Sequence, residues 1–251
     1  MDKPYILDET EDFAVVFKPA KIHSTIINEQ IKVNDKKLSD NKNDVTLFDW
    51  YKSKSEFVFN IMHRLDYETN GLVLFAKNEK SYLFFKEAQE NGGFIKEYSA
   101  FCVNNNDYCA EGFPPPPMIE SFDSPFVIES FFRPFGKGRK LVRPVIEDGK
   151  KHKETAKDKG NFYRTEIISK NKNDFTIRIK RGFRHQIRCH LCWIGFPIVN
   201  DPLYSCCENE KNISDSVMRL RSHALFFSSP SDGRKLEYRI EPLVSDFKVK
   251  F

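Results

Sequence analysis

The sequence predicts an α+β fold in which strands outnumber helices. Three observations carry that expectation. Short apolar runs, FAVVF at 13–17, GLVLFAK at 71–77 and FTIRI at 175–179, recur with turn-forming residues between them. A stretch opening at Asn78 and closing at Asn91-Gly92-Gly93 carries the cap residues of a helix. Residues 186–194 set Ile187, His190, Leu191 and Ile194 at helical spacing. Sheets of this kind with helices on their faces form the α+β class.

Taken in order, the first run is a strand ended by Lys18-Pro19, because proline breaks a pairing ladder. A second buried strand starts at Gly71, a helix follows from Asn78 to about Glu90, and strand resumes over 98–103. Between Asn104 and Pro125 the run of four prolines at 114–117 and the Asn and Ser-Pro clusters support neither helix nor central strand. That stretch is expected to be a loop excursion, more simply a tolerated surface insertion than a peptide-binding site. Beyond it, 175–179 and 238–240 alternate as half-buried strands. No internal repeat is present, and the Asn/Lys-rich runs at 41–44 and 171–174 read as polar turns.

The chain has 251 residues, 40% hydrophobic and 30% charged, enough apolar material for a core and outside the disordered class. No apolar stretch approaches the ~18 residues of a spanning helix, and the first residues lack an apolar signal core. A soluble, cytoplasmic protein without a membrane partner is expected. Six cysteines in this length are too sparse for a disulfide scaffold and fit reduced thiols. The net charge is +4, yet residues 131–190 hold 18 Lys/Arg against 6 Asp/Glu. A basic region set in an acidic body suits a polyanion such as nucleic acid, although a merely solvated basic face also fits the charge alone.

Two clusters carry candidate chemistry. His63-Arg64-Leu65-Asp66-Tyr67-Glu68-Thr69-Asn70 places a carboxylate, a guanidinium and an imidazole just before a buried strand, where sites on rigid scaffolds concentrate. Its plain alternative is a turn capped by Asp66 beside a surface Arg64. Residues 181–191, RGFRHQIRCHL, offer many donors near a helix start, a setting that suits phosphate or simply solvent. Cys189, Cys192, His185, His190, Cys206 and Cys207 are ligand types that zinc favours, but their spacing does not form the paired short motifs of structural zinc, and no metal is expected. A nuclease built on His63 and Asp66 lacks a second acidic cluster.

Together these stretches resemble the RluA-type family of pseudouridine synthases. EDFAVVFKPAKIH (11–23) is similar to the family's opening strand, HRLDYETNGLVLFAK (63–77) to its catalytic-aspartate motif, and Lys96-Glu97-Tyr98-Ser99-Ala100 to its lysine-x-tyrosine-x-alanine strand. GFRHQIRCHLCWIGFPIVNDPLY (182–204) and His223-Ala224 complete the order. The resemblance implies a mixed, mainly antiparallel, bifurcated sheet with flanking helices and a central cleft. It implies a single catalytic domain over 1–251, without the small N-terminal RNA-binding module of some relatives. It also implies an isomerase acting on uridines of rRNA or tRNA, without cofactor or obligate protein partner and monomeric by default. A noncatalytic RNA-binding protein on the same fold is the alternative.

By the same resemblance Asp66 is the catalytic carboxylate, Arg188 its partner, and Tyr98 the ring that stacks on the target base and a candidate for the final proton transfer. His63 and Arg64 match residues that enter the RNA stack, and Lys18, Lys96, His185 and Gln186 are further candidate RNA contacts. Two positions depart from the pattern. Phe183 stands in the first basic slot, with Arg184 displaced by one, and Asn70 stands where serine is usual.

Overall fold

The structure, a computed structural model, describes residues 2–25, 45–104, 112–123, 125–146, 162–204 and 217–243. Cys109, Cys206 and Cys207, and parts of the proline-rich stretch and the basic segment, lie outside these residues. The strands are β1 (Tyr5–Glu9), β2 (Phe13–Lys18), β3 (Asn60–Ile61), β4 (Asn70–Ala76), β5 (Ile95–Phe101), β6 (Phe126–Phe135), β7 (Leu141–Val145), β8 (Tyr163–Asn171), β9 (Asp174–Ile179), β10 (Leu220–Ser228) and β11 (Lys235–Arg239). Three α-helices accompany them: α1 (Leu47–Lys52), α2 (Glu79–Glu90) and α3 (Gln186–Trp193). All are joined in one sheet of order β1-β2-β4-β10-β5-β9-β8-β6-β7, with β3 on β4 and β11 on β10.

Every pairing is antiparallel except β4 with β10, which touch over two residue pairs, Asn70↔Arg221 and Gly71↔Ser222. From Ala224 onward β11 takes the place of β4 along β10. The sheet therefore divides at β10, the bifurcation that the sequence resemblance implies. Gly71 sits at this seam with φ +128°, and a Cβ there would lie 2.2 Å from the Ser222 carbonyl oxygen, so the close approach requires glycine. Asn70 is held beside it, its Oδ1 accepting from Arg221 Nε at 2.7 Å.

Continuous apolar runs form β2 and β4 because both faces of the sheet are covered there. Ala14, Val16, Val73 and Phe75 pack with Leu47 and Tyr51 of α1 on one face; Phe13, Val15, Leu72 and Leu74 pack with Phe85 of α2 on the other. Helix α1 starts on a Thr46-Asp49 capping box, and α2 on Asn78 with Ser81. No helix among the described residues is long and apolar enough to cross a membrane.

β6 changes partner midway. Residues 126–130 pair with β8 and residues 131–135 with β7, so the distal half of the hairpin is a two-stranded arm. Pro134 and Pro144 lie on this arm, where a missing amide costs little. Residues 112–123 carry neither helix nor strand, as expected, but they are docked rather than free. Phe122 contacts Phe126 and Phe196, Phe113 contacts Phe135, and the Trp193 indole donates to the Pro114 carbonyl at 2.9 Å.

Candidate active site

The turn that carries Asp66 is clamped from the loop after β2. The Ser24 hydroxyl accepts from the Leu65 amide at 3.1 Å and donates to the Leu65 carbonyl at 2.9 Å. The carbonyl of Tyr67 accepts from the Lys21 amide at 2.7 Å and from Lys18 Nζ at 3.4 Å. Lys18 also donates to the carbonyls of Pro19 and Ile22. The residues on either side of Asp66 are thus fixed, which leaves its carboxylate little freedom of position.

Lys18 is fully buried, and its ammonium braces the loop. Burial lowers its pKa to about 7, against the raising charges of Asp66 and Glu68. Gln186 Oε1 accepts from the Phe183 amide and its Nε2 donates to the Arg164 carbonyl and Thr165 Oγ1, so both ends of its amide are bonded within the fold. His190 extends this buried chain, its ring nitrogens lying 2.8 Å from Thr165 Oγ1 and 2.9 Å from Ser130 Oγ. The chain fixes α3 against β6 and β8, and α3 carries Arg188.

Arg188 is 2% exposed and faces two carboxylates. Its Nε and Nη2 each donate to Asp201 at 2.7 Å, while Nη1 reaches Asp66 Oδ2 at 3.3 Å. Asp201 is wholly buried, whereas the Asp66 side chain is 24% exposed. Burial would lower the guanidinium pKa, but the adjoining charge of Asp201 outweighs it and holds it above its usual value. The expected Asp66–Arg188 pairing is present, yet the buried partner of Arg188 is Asp201, which the sequence reading passed over. Asp201 precedes a proline and accepts from the Leu203 and Tyr204 amides, so its local signature is that of a turn-forming residue.

Tyr98 rises from β5 on the same face as Lys96 and lies at the cleft floor, 5% exposed. Burial and the charge of Asp66 push its phenol above its ordinary pKa, so it stays neutral at pH 7. Lys96 donates to the Lys180 carbonyl at 2.9 Å and its pKa falls to about 8 through burial. His63 accepts from the Leu74 amide at Nε2, at 3.3 Å, and burial together with Lys96 keeps its ring neutral. That bond puts the ring proton on Nδ1, which is buried without a partner. Arg64, next in sequence, is exposed at the cleft wall. His185 begins α3 in the left-handed region at φ 57°, its pKa lowered to about 4 by burial.

His63, Arg64, Asp66, Lys96, Tyr98, His185, Gln186 and Arg188 line one open cleft of about 1570 Å³ across the middle of the sheet, large enough for several nucleotides. Its walls carry Lys86 of α2, Lys180 and Arg181 after β9, and Arg139 and Lys140 at the tip of the arm. Arg184 also lines the cleft and holds the arm, donating from Nη2 to the carbonyls of Arg139 and Leu141. Phe183 stacks on Phe132 at 5.1 Å and contacts Tyr163, so the position that departs from the family pattern serves the core. Among the described residues no group of three or more His, Cys, Asp or Glu side chains converges on a metal position. Cys102, Cys189 and Cys192 are buried and form no disulfide.

A divided sheet with a clamped aspartate over its seam and a basic cleft above it defines a pseudouridine synthase fold. The human RNA pseudouridylate synthase domain containing 1 shares this fold with a TM-score of 0.64 at 17% identity, covering 95% of this chain and 83% of that one. A family model described as RNA pseudouridylate synthase matches residues 12–193, and the chain belongs to that family. An RNA pseudouridine synthase of Chloroflexus aurantiacus, itself uncharacterised, is 25% identical over 191 residues, 75% of this chain and 51% of that relative. An uncharacterised RNA pseudouridine synthase of Mycoplasma genitalium is 26% identical over 250 residues, 98% of this chain and 68% of that relative. The chain thus spans about half to two-thirds of the length of these two relatives.

Proposed function

We propose that the chain isomerises uridine in RNA to pseudouridine, with Asp66 as the catalytic carboxylate. The observation that carries this is the position of Asp66: a carboxylate on a braced turn, open to a basic cleft and bonded to Arg188 through a single end-on contact. Its Oδ1 accepts no hydrogen bond from Arg188. It is available to the ribose carbon, as a glycosidase carboxylate is.

The reaction breaks the bond from uracil N1 to the ribose carbon and forms one from C5, then removes the proton at C5. It is an isomerisation, so atoms and electrons balance without a cofactor. Asp66 attacks or stabilises the ribose carbon as the base departs. Tyr98 offers a flat, neutral ring on which the freed uracil turns over. A phenol that remains protonated is a poor base, which favours the Asp66 carboxylate, released when C5 rejoins the sugar, as the acceptor of the C5 proton.

The ribose carbon is out of reach within a stacked helix, so the uridine must be flipped out at a cost of about a few kcal/mol. Arg64 is the exposed cation nearest in sequence to Asp66 and fills the space left in the stack. The cations of the arm tip and of residues 180–181 bind phosphates, and the substrate is RNA of ribosomal or transfer type in the cytoplasm, bound by a monomer. Tritium release from RNA labelled at uridine C5 tests the reading. The chain should release tritium, and Asp66→Asn should bind the same RNA and release none. An Asp66→Asn rate above about a tenth of wild type, about 1.4 kcal/mol of barrier, overturns the assignment.

A further inference from the structure

We propose that Asp201 is a positioning residue for the reaction, and that its task is to keep Arg188 from closing on Asp66. The inference rests on the reading of Asp66 given above. A guanidinium and a carboxylate left alone pair through two parallel bonds, and such a fork is the favoured geometry of the pair. Here the fork is given to the wrong carboxylate for catalysis: Nε and Nη2 meet Asp201 at 2.7 Å each. Of the N–H groups that remain on Nη1 and Nη2, only one on Nη1 reaches Asp66, at 3.3 Å and on one oxygen. A nucleophile held in a full fork would have both oxygens shielded and its charge neutralised. Asp201 thereby divides the two duties of the arginine. The guanidinium is anchored and neutralised from below, and the catalytic carboxylate above receives orientation without being consumed by the pair.

Asp201 is itself held rigidly. Its Oδ1 also accepts from the Leu203 amide at 2.9 Å and the Tyr204 amide at 3.1 Å. The ring of Tyr204 lies under the guanidinium, 5.4 Å from its carbon, and its hydroxyl accepts from the Val142 amide and donates to the Val142 carbonyl. The same short turn therefore fixes Arg188 and the arm near its tip. Asp201 is fully buried and does not itself line the cleft, so it reaches Asp66 through Arg188.

The test uses D201N and D201E in the full chain, with single-turnover tritium release at saturating RNA, RNA affinity, thermal melting and the pH profile of the rate. D201N removes the charge that balances Arg188, and the guanidinium falls back on Asp66. The rate should drop by about a hundredfold, the scale on which an ångström of misplacement acts, while RNA affinity stays within about twofold. With Arg188 acting on Asp66 alone, the acid limb of the profile should move to lower pH. D201E keeps the charge but shifts the carboxylate along the guanidinium edge. It should keep the wild-type acid limb and lose about tenfold in rate, an intermediate value.

A D201N rate within about threefold of wild type, or a loss that follows the folded fraction with the acid limb unmoved, overturns the proposal. So does a wild-type rate in D201E. Failure of both variants to fold would make Asp201 a residue of the fold alone and overturn it as well. If the wild-type chain itself releases no tritium, the reading of the cleft fails and the role of Asp201 falls with it; if only the variants match wild type, the cleft reading stands.

Discussion

Ser24 brackets Leu65 with one hydroxyl, taking its amide at 3.1 Å and giving to its carbonyl at 2.9 Å, although 41 residues separate them in the chain. It joins the loop after β2 to the turn of Asp66, beside the bond from the Lys21 amide to the Tyr67 carbonyl. Ser24→Ala leaves two buried backbone groups without partners, each a loss of about 1 to 3 kcal/mol. The variant should melt lower and lose more turnover than its folded fraction explains, because the turn can then shift. Urea unfolding beside single-turnover tritium release checks this, and equal proportional losses would make Ser24 purely structural.

Lys18 gives a pH signature. The unfolded chain holds this proton up to about 10.5, its ordinary value, and the folded chain only up to about 7. Between those values the unfolded state binds more protons, so stability rises with pH through this group. Lys18→Met should remove that share of the rise and keep the share due to Lys96, whose pKa is about 8. The wild-type minus variant difference in urea midpoint should therefore grow between pH 7 and 9.5. A constant difference would place the charge of Lys18 outside the folding balance.

Glu97 points from β5 to the face opposite Tyr98, where His223, Arg178 and Arg239 donate to it at 3.0, 2.6 and 2.9 Å. Burial would raise its pKa, but these bonds outweigh it and bring it to about 2, from an ordinary 4.5. The group stabilises the fold above pH 4.5, and that contribution is lost as pH falls toward 2. Glu97→Gln should cost at most about 3 kcal/mol at pH 7, less as the partly exposed arginines are screened. The gap to wild type should close in acid. Chemical denaturation at pH 7 and pH 3 measures it, and a gap of equal size at both would count against the ion cluster.

Arg188→Ala and Arg64→Ala should fail differently. Removing Arg188 strands Asp201 as a buried, unpaired carboxylate, at about 3 to 5 kcal/mol, and also ends turnover. Arg64 is exposed, so its removal should change stability by no more than about 0.5 kcal/mol. Its rate defect should be large on structured RNA and shrink where the target uridine is already unstacked. Thermal melts with single-turnover rates on both RNAs separate the two, and an Arg64→Ala that melts like Arg188→Ala would be structural.

The strands buried on both faces were readable because continuous apolar runs and their caps survive without context: β2, β4 and α2 lie where FAVVF, GLVLFAK and Asn78 indicate. The arm was not readable. Pro134 and Pro144 argue against strand wherever a strand has two neighbours, and only the partner switch in β6 gives them one. β1 and α1 were missed because each is short and half polar. At the site, Asp66, Tyr98 and Arg188, which the sequence singles out, all line the cleft. Lys18 and Gln186 carry polar groups whose partners are backbone carbonyls and amides, which no residue pattern reports. Asp201 was hidden by its own Asp-Pro setting, since a turn and a buried ion pair ask for the same side chain.

The partner switch in β6 gives the chain a movable boundary between what must be kept and what can vary. Residues 126–130 are locked into the sheet by β8, while beyond Phe131 only β7 sets the register, and the Arg184 and Tyr204 anchors grip Arg139, Leu141 and Val142 near the tip. Residues inserted in pairs at the tip, between Phe135 and Leu141, would lengthen its reach by about 3.3 Å per paired residue and leave the Tyr204 bonds to Val142 and the Phe132–Tyr163 contact in place. The arm is accordingly an adjustable gauge, its length setting how far Arg139 and Lys140 stand from the body of the sheet.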